Sequence, residues 1–131
     1  MSGFILQTGL SSVGKYRNEF NKILNISLDE QDILADMVGL KKHVERRHPE
    51  QLEYLDKLPE IIRNPDYIGS NPREKFGESF ELIKLYSDNI MIGIKFDHVN
   101  KYLYVATLHE VSDYKISNRV NSGRIKPLSK S

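Results

Sequence analysis

A chain of 131 residues, 39% hydrophobic and 28% charged, is long enough for one self-sufficient core and too apolar to be disordered. It has no cysteine, which excludes a disulfide framework, a thiolate metal site and a thiol nucleophile. No apolar run reaches the roughly 20 residues of a membrane helix, and MSGFILQTGLSS lacks the basic start and sustained apolar region of a secretory signal; a cytoplasmic protein with no membrane partner is expected.

The net charge of +1 says nothing about nucleic acid, but the charges are uneven. Acids predominate between residues 28 and 60. Residues 112–131 hold a single acid, Asp113, against Lys115, Arg119, Arg124, Lys126 and Lys130. Such a basic segment can engage phosphate locally or simply keep the surface solvated.

In chain order, residues 1–26 read as a flexible or weakly structured segment, with KYRNEFNKIL fitting a short helix or a strand. The remainder, 27–131, reads as one α+β domain. Ser27 and Glu30 have the spacing of a capping box, and Leu28, Ile33, Leu34, Met37, Val38 and Leu40 continue a helical period to about Arg47. A second helix is expected from His48-Pro49, since proline suits the first helical position, and Leu52, Leu55, Leu58 and Ile62 give it an apolar stripe. Pro65 ends it near Arg63-Asn64.

The period then changes to alternation. An extended piece over 66–69 leads to a polar loop at Asn71-Pro72 and Gly77, followed by strands over 79–86, 90–96 and 101–111 in an antiparallel meander. A two-residue turn at Asp88-Asn89 pairs Leu85 with Ile92, and a three-residue loop after Asp97 pairs Ile94 with Tyr104. One face then carries Ile83, Leu85, Ile92, Ile94, Phe96, Tyr104, Ala106 and Leu108 for the helices to cover. The other receives Lys84, Tyr86, Lys95, Thr107 and His109, with Met91, Gly93, Leu103 and Val105 between them.

Each polar residue on that strip has an ordinary use. Lysines protect open sheet faces, and threonine is a good strand former. Together they suggest metal-independent RNA cleavage, which needs a base for the ribose 2′-hydroxyl, an acid for the leaving oxygen and cations for the phosphate. Histidine suits the proton transfers, and lysine and arginine suit the phosphate. The sequence holds no HExxH, P-loop, Rossmann glycine pattern or GxSxG elbow, and no metal or cofactor is expected.

The runs HPEQLEYLDKLPEIIRNPDYIG, FELIKLY, IMIGIKFD, YLYVATLHEVS and SGRIK resemble the phage-associated barnase–EndoU–colicin–RelE-like (BECR) nuclease domains, over about residues 40–126. The resemblance implies two or three N-terminal helices packed on one face of a four-stranded antiparallel sheet, with an RNA cleft on the other. It implies a toxin- or effector-like endoribonuclease that uses 2′-hydroxyl attack to leave a 2′,3′-cyclic phosphate. Carried onto this chain, the pattern gives His48 as acid or base, Lys84 as stabiliser of the phosphate and Thr107 as its orienting hydroxyl. Arg124 and Arg119 clamp the RNA backbone, and Ser122, Lys95 and His109 bind substrate. His43 and His109 are substitutes for His48. RNA is the implied partner, with a host protein or an antitoxin as a second. The alternative is an inactive phage accessory protein that binds and inhibits a host protein or nucleic acid, using Tyr86, Met91, Leu103 and Val105 as an interface core.

Overall fold

The structure is a computed structural model and describes residues 9–70 and 79–128. In chain order these form β1 (Leu10–Tyr16), α1 (Asn18–Leu24), β2 (Gln31–Asp36), α2 (Met37–Arg47), a 3₁₀ segment (Pro49–Lys57) and α3 (Leu58–Arg63). There follow β3 (Tyr67–Ser70), β4 (Ser79–Leu85), β5 (Asn89–Asp97), β6 (Tyr102–Glu110), α4 (Asp113–Asn121) and β7 (Ile125–Pro127). The strands make one seven-stranded sheet in the order β1-β2-β6-β5-β4-β3-β7. It is mixed, because β2 runs parallel to β6 whereas every other pair is antiparallel.

This corrects the expected four-stranded antiparallel sheet beneath N-terminal helices. The meander β4-β5-β6 is present, but as the middle of a wider sheet whose helices lie between and after strands. The stretch read as weakly structured supplies an edge strand and a helix, with Tyr16 and Phe20 fully buried in the core. The helix expected from Ser27 is divided. Ile33, Leu34 and Ala35 are buried in succession, which suits a strand covered on both faces better than an amphipathic helix. Glu30 closes no capping box; its carboxylate accepts the Asn18 N–H at 3.0 Å. The cap of α2 is Asp36, which accepts the Gly39 N–H at 3.1 Å.

The second helix starts at Pro49 and stops before Pro65 as expected, but it is divided: Pro49–Lys57 is 3₁₀, and only Leu58–Arg63, capped by Asn64, is α-helical. Leu58, Ile61 and Ile62 bring this stretch onto the sheet with no exposed area. The loop read at Asn71-Pro72 and Gly77 lies outside the described residues. Among those described, no helix is long and apolar enough to cross a membrane.

Both hairpins differ in register from the expectation. Leu85 pairs with Asn89 rather than Ile92, so the turn holds Tyr86, Ser87 and Asp88. Two side chains fix it: the Asp66 carboxylate accepts the Leu85 N–H at 2.7 Å, and Asn89 donates to the Val111 carbonyl at 3.2 Å and to Asp113 at 2.5 Å. In the second hairpin Asp97 pairs with Tyr102, because its carboxylate accepts the Val99 and Asn100 N–H groups and Lys101 turns the chain at φ 63°. The ladder then slips by one residue between Gly93 and Ile94.

The three-residue shift in the first hairpin exchanges the faces of β4. Phe80 and Leu82 join Ile90, Ile92 and Ile94 in the main core under α1, α2 and α3. Ile83 moves to the opposite face with Met91, Val111, Ile116 and Ile125, where α4 covers part of the sheet. Beside α4 that face stays open, and the polar residues gather there.

Candidate active site and nucleic-acid groove

Directly paired residues of neighbouring strands point to the same side of a sheet. Glu81 of β4 pairs with Gly93 of β5, and Gly93 with Thr107 of β6, forming one row across the open face. The next row is Ile83, Met91 and His109. With no side chain at Gly93, the first row is a trough whose two walls stand about 10 Å apart, two strand spacings. The Thr107 methyl lies 3.0 Å from where a Cβ on Gly93 would be. A hollow of about 260 Å³ opens here, lined by Ser79, Glu81, Gly93, Thr107, His109 and Arg119 among others.

One wall is acidic and cationic together. Glu81 is buried, and its Oε2 accepts from Arg124 Nη2 at 2.9 Å. Arg119 Nη1 approaches the other oxygen, Oε1, only to 3.8 Å, close enough for charge attraction but too far for a hydrogen bond. Glu81 Oε1, Arg124 Nε and Ser79 Oγ are all buried without a hydrogen-bond partner. A buried orphan costs about 1–3 kcal/mol, so these atoms favour a polar partner, and two of the residues that carry them, Ser79 and Glu81, line the hollow. Burial pushes the Arg119 guanidinium down from its ordinary pKa; Glu81 opposes this and Arg124 reinforces it.

The arginines come from the end of α4 and the chain just after it. Ser122 ties them, its hydroxyl donating to the Arg119 carbonyl at 3.1 Å and accepting the Arg124 N–H at 3.4 Å. Gly69 lets this segment close on β3: a Cβ there would stand 2.2 Å from the Arg124 carbonyl oxygen.

Histidines form the other wall. α2 lies against β6, which brings His43 Nε2 to 3.4 Å from Thr107 Oγ1. The His48 ring sits 6.0 Å from that of His43 and 5.2 Å from that of His109. His109 Nδ1 lies 3.0 Å from the Glu110 carbonyl. A carbonyl only accepts, so Nδ1 carries the proton and Nε2 is left to exchange one. His48 is held below the ordinary histidine value, first by burial and then by His109, His43 and Arg47.

The sequence-derived residues thus divide. Thr107, His109, Lys95 and Arg119 line the hollow, Arg124 braces Glu81, and Ser122 positions both arginines. His43 reaches Thr107 from the side, and His48 stands behind His109. Lys84 is placed elsewhere. It pairs with Ile90 on the helix-covered face, and its Nζ donates to the Asn64 carbonyl at 2.9 Å. Tyr86 also lies with the main core, against Tyr54. Leu103 and Val105, expected on the open face, are core residues. Glu81 was not singled out in the sequence, although its odd spacing from Lys84 puts the two on opposite faces of any strand.

Residues 11–118 match the family described as phage-Barnase-EndoU-ColicinE5/D-RelE like nuclease3 (PBECR3). The chain belongs to this family. Membership makes it a nuclease of phage type, with nucleic acid as substrate. The PBECR3 match includes Glu81, Lys95, Thr107 and His109 and stops before Arg119 and Arg124. Neither a curated protein nor a solved structure gives a significant match.

Proposed function

We propose that this PBECR3 protein is a metal-independent endoribonuclease that cleaves RNA by attack of the ribose 2′-hydroxyl on the adjacent phosphate. The observation that carries the reading is the buried Glu81 carboxylate, held by Arg124 and approached by Arg119, across the Gly93 trough from His109. An in-line displacement needs its base and acid on opposite sides of the phosphorus. A phosphate seated over Gly93 has a carboxylate on one side and an imidazole on the other.

As Arg119 turns from Glu81 Oε1 to the incoming phosphate it uncovers that oxygen, which has no hydrogen bond to give up and takes the 2′-hydroxyl proton as the ribose oxygen attacks phosphorus. The imidazolium form of His109 gives its Nε2 proton to the departing 5′-oxygen and keeps the Nδ1–H on the Glu110 carbonyl, so the products are a 2′,3′-cyclic phosphate and a free 5′-hydroxyl. Arg119 and Lys95 meet the phosphoryl oxygens as charge builds on them, and the Thr107 hydroxyl orients one oxygen. His48 acts through His109, keeping its ring stacked in place. Arg124 holds the carboxylate, and Lys84 has no part.

A labelled RNA pool and the matching DNA, each incubated with the protein in EDTA, test this. Cleavage of RNA alone, lost in His109→Ala, is the expected result. No RNA cleavage beyond that of the variant would overturn the proposal and favour an inactive binding protein.

A further inference from the structure

A second and larger cleft, about 520 Å³, adjoins the catalytic hollow and shares Lys95 and Ala106 with it. Its floor is made by the slip in the β5–β6 ladder. Up to Gly93 the pairs are Met91–His109 and Gly93–Thr107; beyond it they are Ile94–Val105, Lys95–Tyr104 and Asp97–Tyr102, with Ala106 as the extra residue. That bulge inverts the alternation of β6. Without it, Val105 and Leu103 would continue the face of Thr107 and His109. With it they enter the core, and Tyr104 and Tyr102 take their places on the groove face, their rings 6.0 Å apart at 71°. The far wall is the start of α2, with Asp36, Gly39, Leu40 and His43.

The geometry points to this cleft as a base-stacking subsite that holds an unpaired nucleotide next to the scissile phosphate and confines the enzyme to single-stranded RNA. The assignment rests on the ribonuclease reading of the adjoining hollow. The volume falls within the range that encloses a small organic ligand such as one nucleotide. Lys95 stands at the junction of the two spaces, where the phosphate joining two nucleotides must pass. Two tyrosine rings inclined at 71° cannot stack on one base together, so one takes the base face and the other its edge or the next base. A duplex keeps its bases stacked on one another and offers the tyrosines only its sugar–phosphate backbone, whereas a single strand can turn a base onto an aromatic ring.

Binding of a fluorescent, fully 2′-O-methylated oligonucleotide, which cannot be cut by its own 2′-oxygen, isolates the subsite from the chemistry. Wild type should bind the single strand at least about tenfold tighter than the same sequence in a duplex, and Tyr104→Leu should lose about 5- to 150-fold, the value of one stacked base. Tyr104→Phe, which keeps the ring, should bind as wild type does. Equal affinity for duplex and single strand, or unchanged binding by both Tyr104→Leu and Tyr102→Leu, would overturn the assignment. Tight, ring-dependent binding with no cleavage of the unmodified RNA would leave the subsite standing and remove the ribonuclease reading. Cleavage with kcat/KM unaffected in both leucine variants would do the reverse.

Discussion

Replacing Glu81 with Gln removes one charge and almost no volume. The side chains of Glu81, Arg119 and Arg124 are 8%, 18% and 25% exposed, so two guanidiniums share one buried carboxylate. An amide still accepts from Arg124 but leaves both positive charges uncompensated. Stranding a buried charge costs about 3–5 kcal/mol, and the partial exposure of the arginines puts this case near the lower end. For a chain of this size about 3 kcal/mol corresponds to a Tm lower by about 10 °C. The catalytic loss is separate: removing a general base costs about 10²–10⁴ in kcat/KM, and the limb of the pH–rate profile that reports the base should vanish. Cleavage assayed well below the variant's Tm separates the two effects. A folded Glu81→Gln protein within about threefold of wild-type activity refutes the role of the carboxylate, against the hundredfold minimum expected of a base. An unchanged Tm refutes the buried ion triad.

Lys84→Ala should keep full cleavage and lose no more than about 1 kcal/mol, the value of its bond to the Asn64 carbonyl; a tenfold loss of rate would contradict the observed register. Gly93→Ala should narrow the trough against the Thr107 methyl and raise KM, and adding Thr107→Ser, which removes that methyl, should restore it; steady-state kinetics on a short RNA decide. His48 is depressed below 6.5 in the folded protein, so the unfolded chain takes up a proton more readily. The stability it contributes is therefore complete above about pH 6.5 and is lost as pH falls below that value towards the folded pKa. His48→Gln should make the fall in Tm between about pH 7 and pH 5 shallower, and an unchanged slope would contradict the assigned burial.

The sequence disclosed the meander and the helical stretch after Pro49, and alternation put Lys95, Thr107 and His109 on one face although both turns were misread. Its reading of β4 failed because Ile83 and Leu85 look as suitable for a core as Phe80 and Leu82. Alternation is decisive only when one face is wet, and α4 buries Ile83 on the second face. Charge held the missing information. One of Glu81 and Lys84 must lie under the helices; the lysine, at the strand end, can reach a carbonyl there, whereas a buried glutamate needs the arginines of the other face. The run Ile33-Leu34-Ala35 shows a related ambiguity, since a short apolar stretch fits a buried strand or a helix. Tyr102 and Tyr104 reach the groove through a bulge of one residue, which no alternating pattern foretells.

End-group analysis of the products bears most directly on the proposed chemistry. RNA cut by the wild-type protein in EDTA should carry 2′,3′-cyclic phosphates at the upstream fragments and 5′-hydroxyls at the downstream ones. Fragments ending in 3′-hydroxyl and 5′-phosphate, or cleavage that continues when the 2′-hydroxyl at the cut site is replaced by hydrogen, would contradict it.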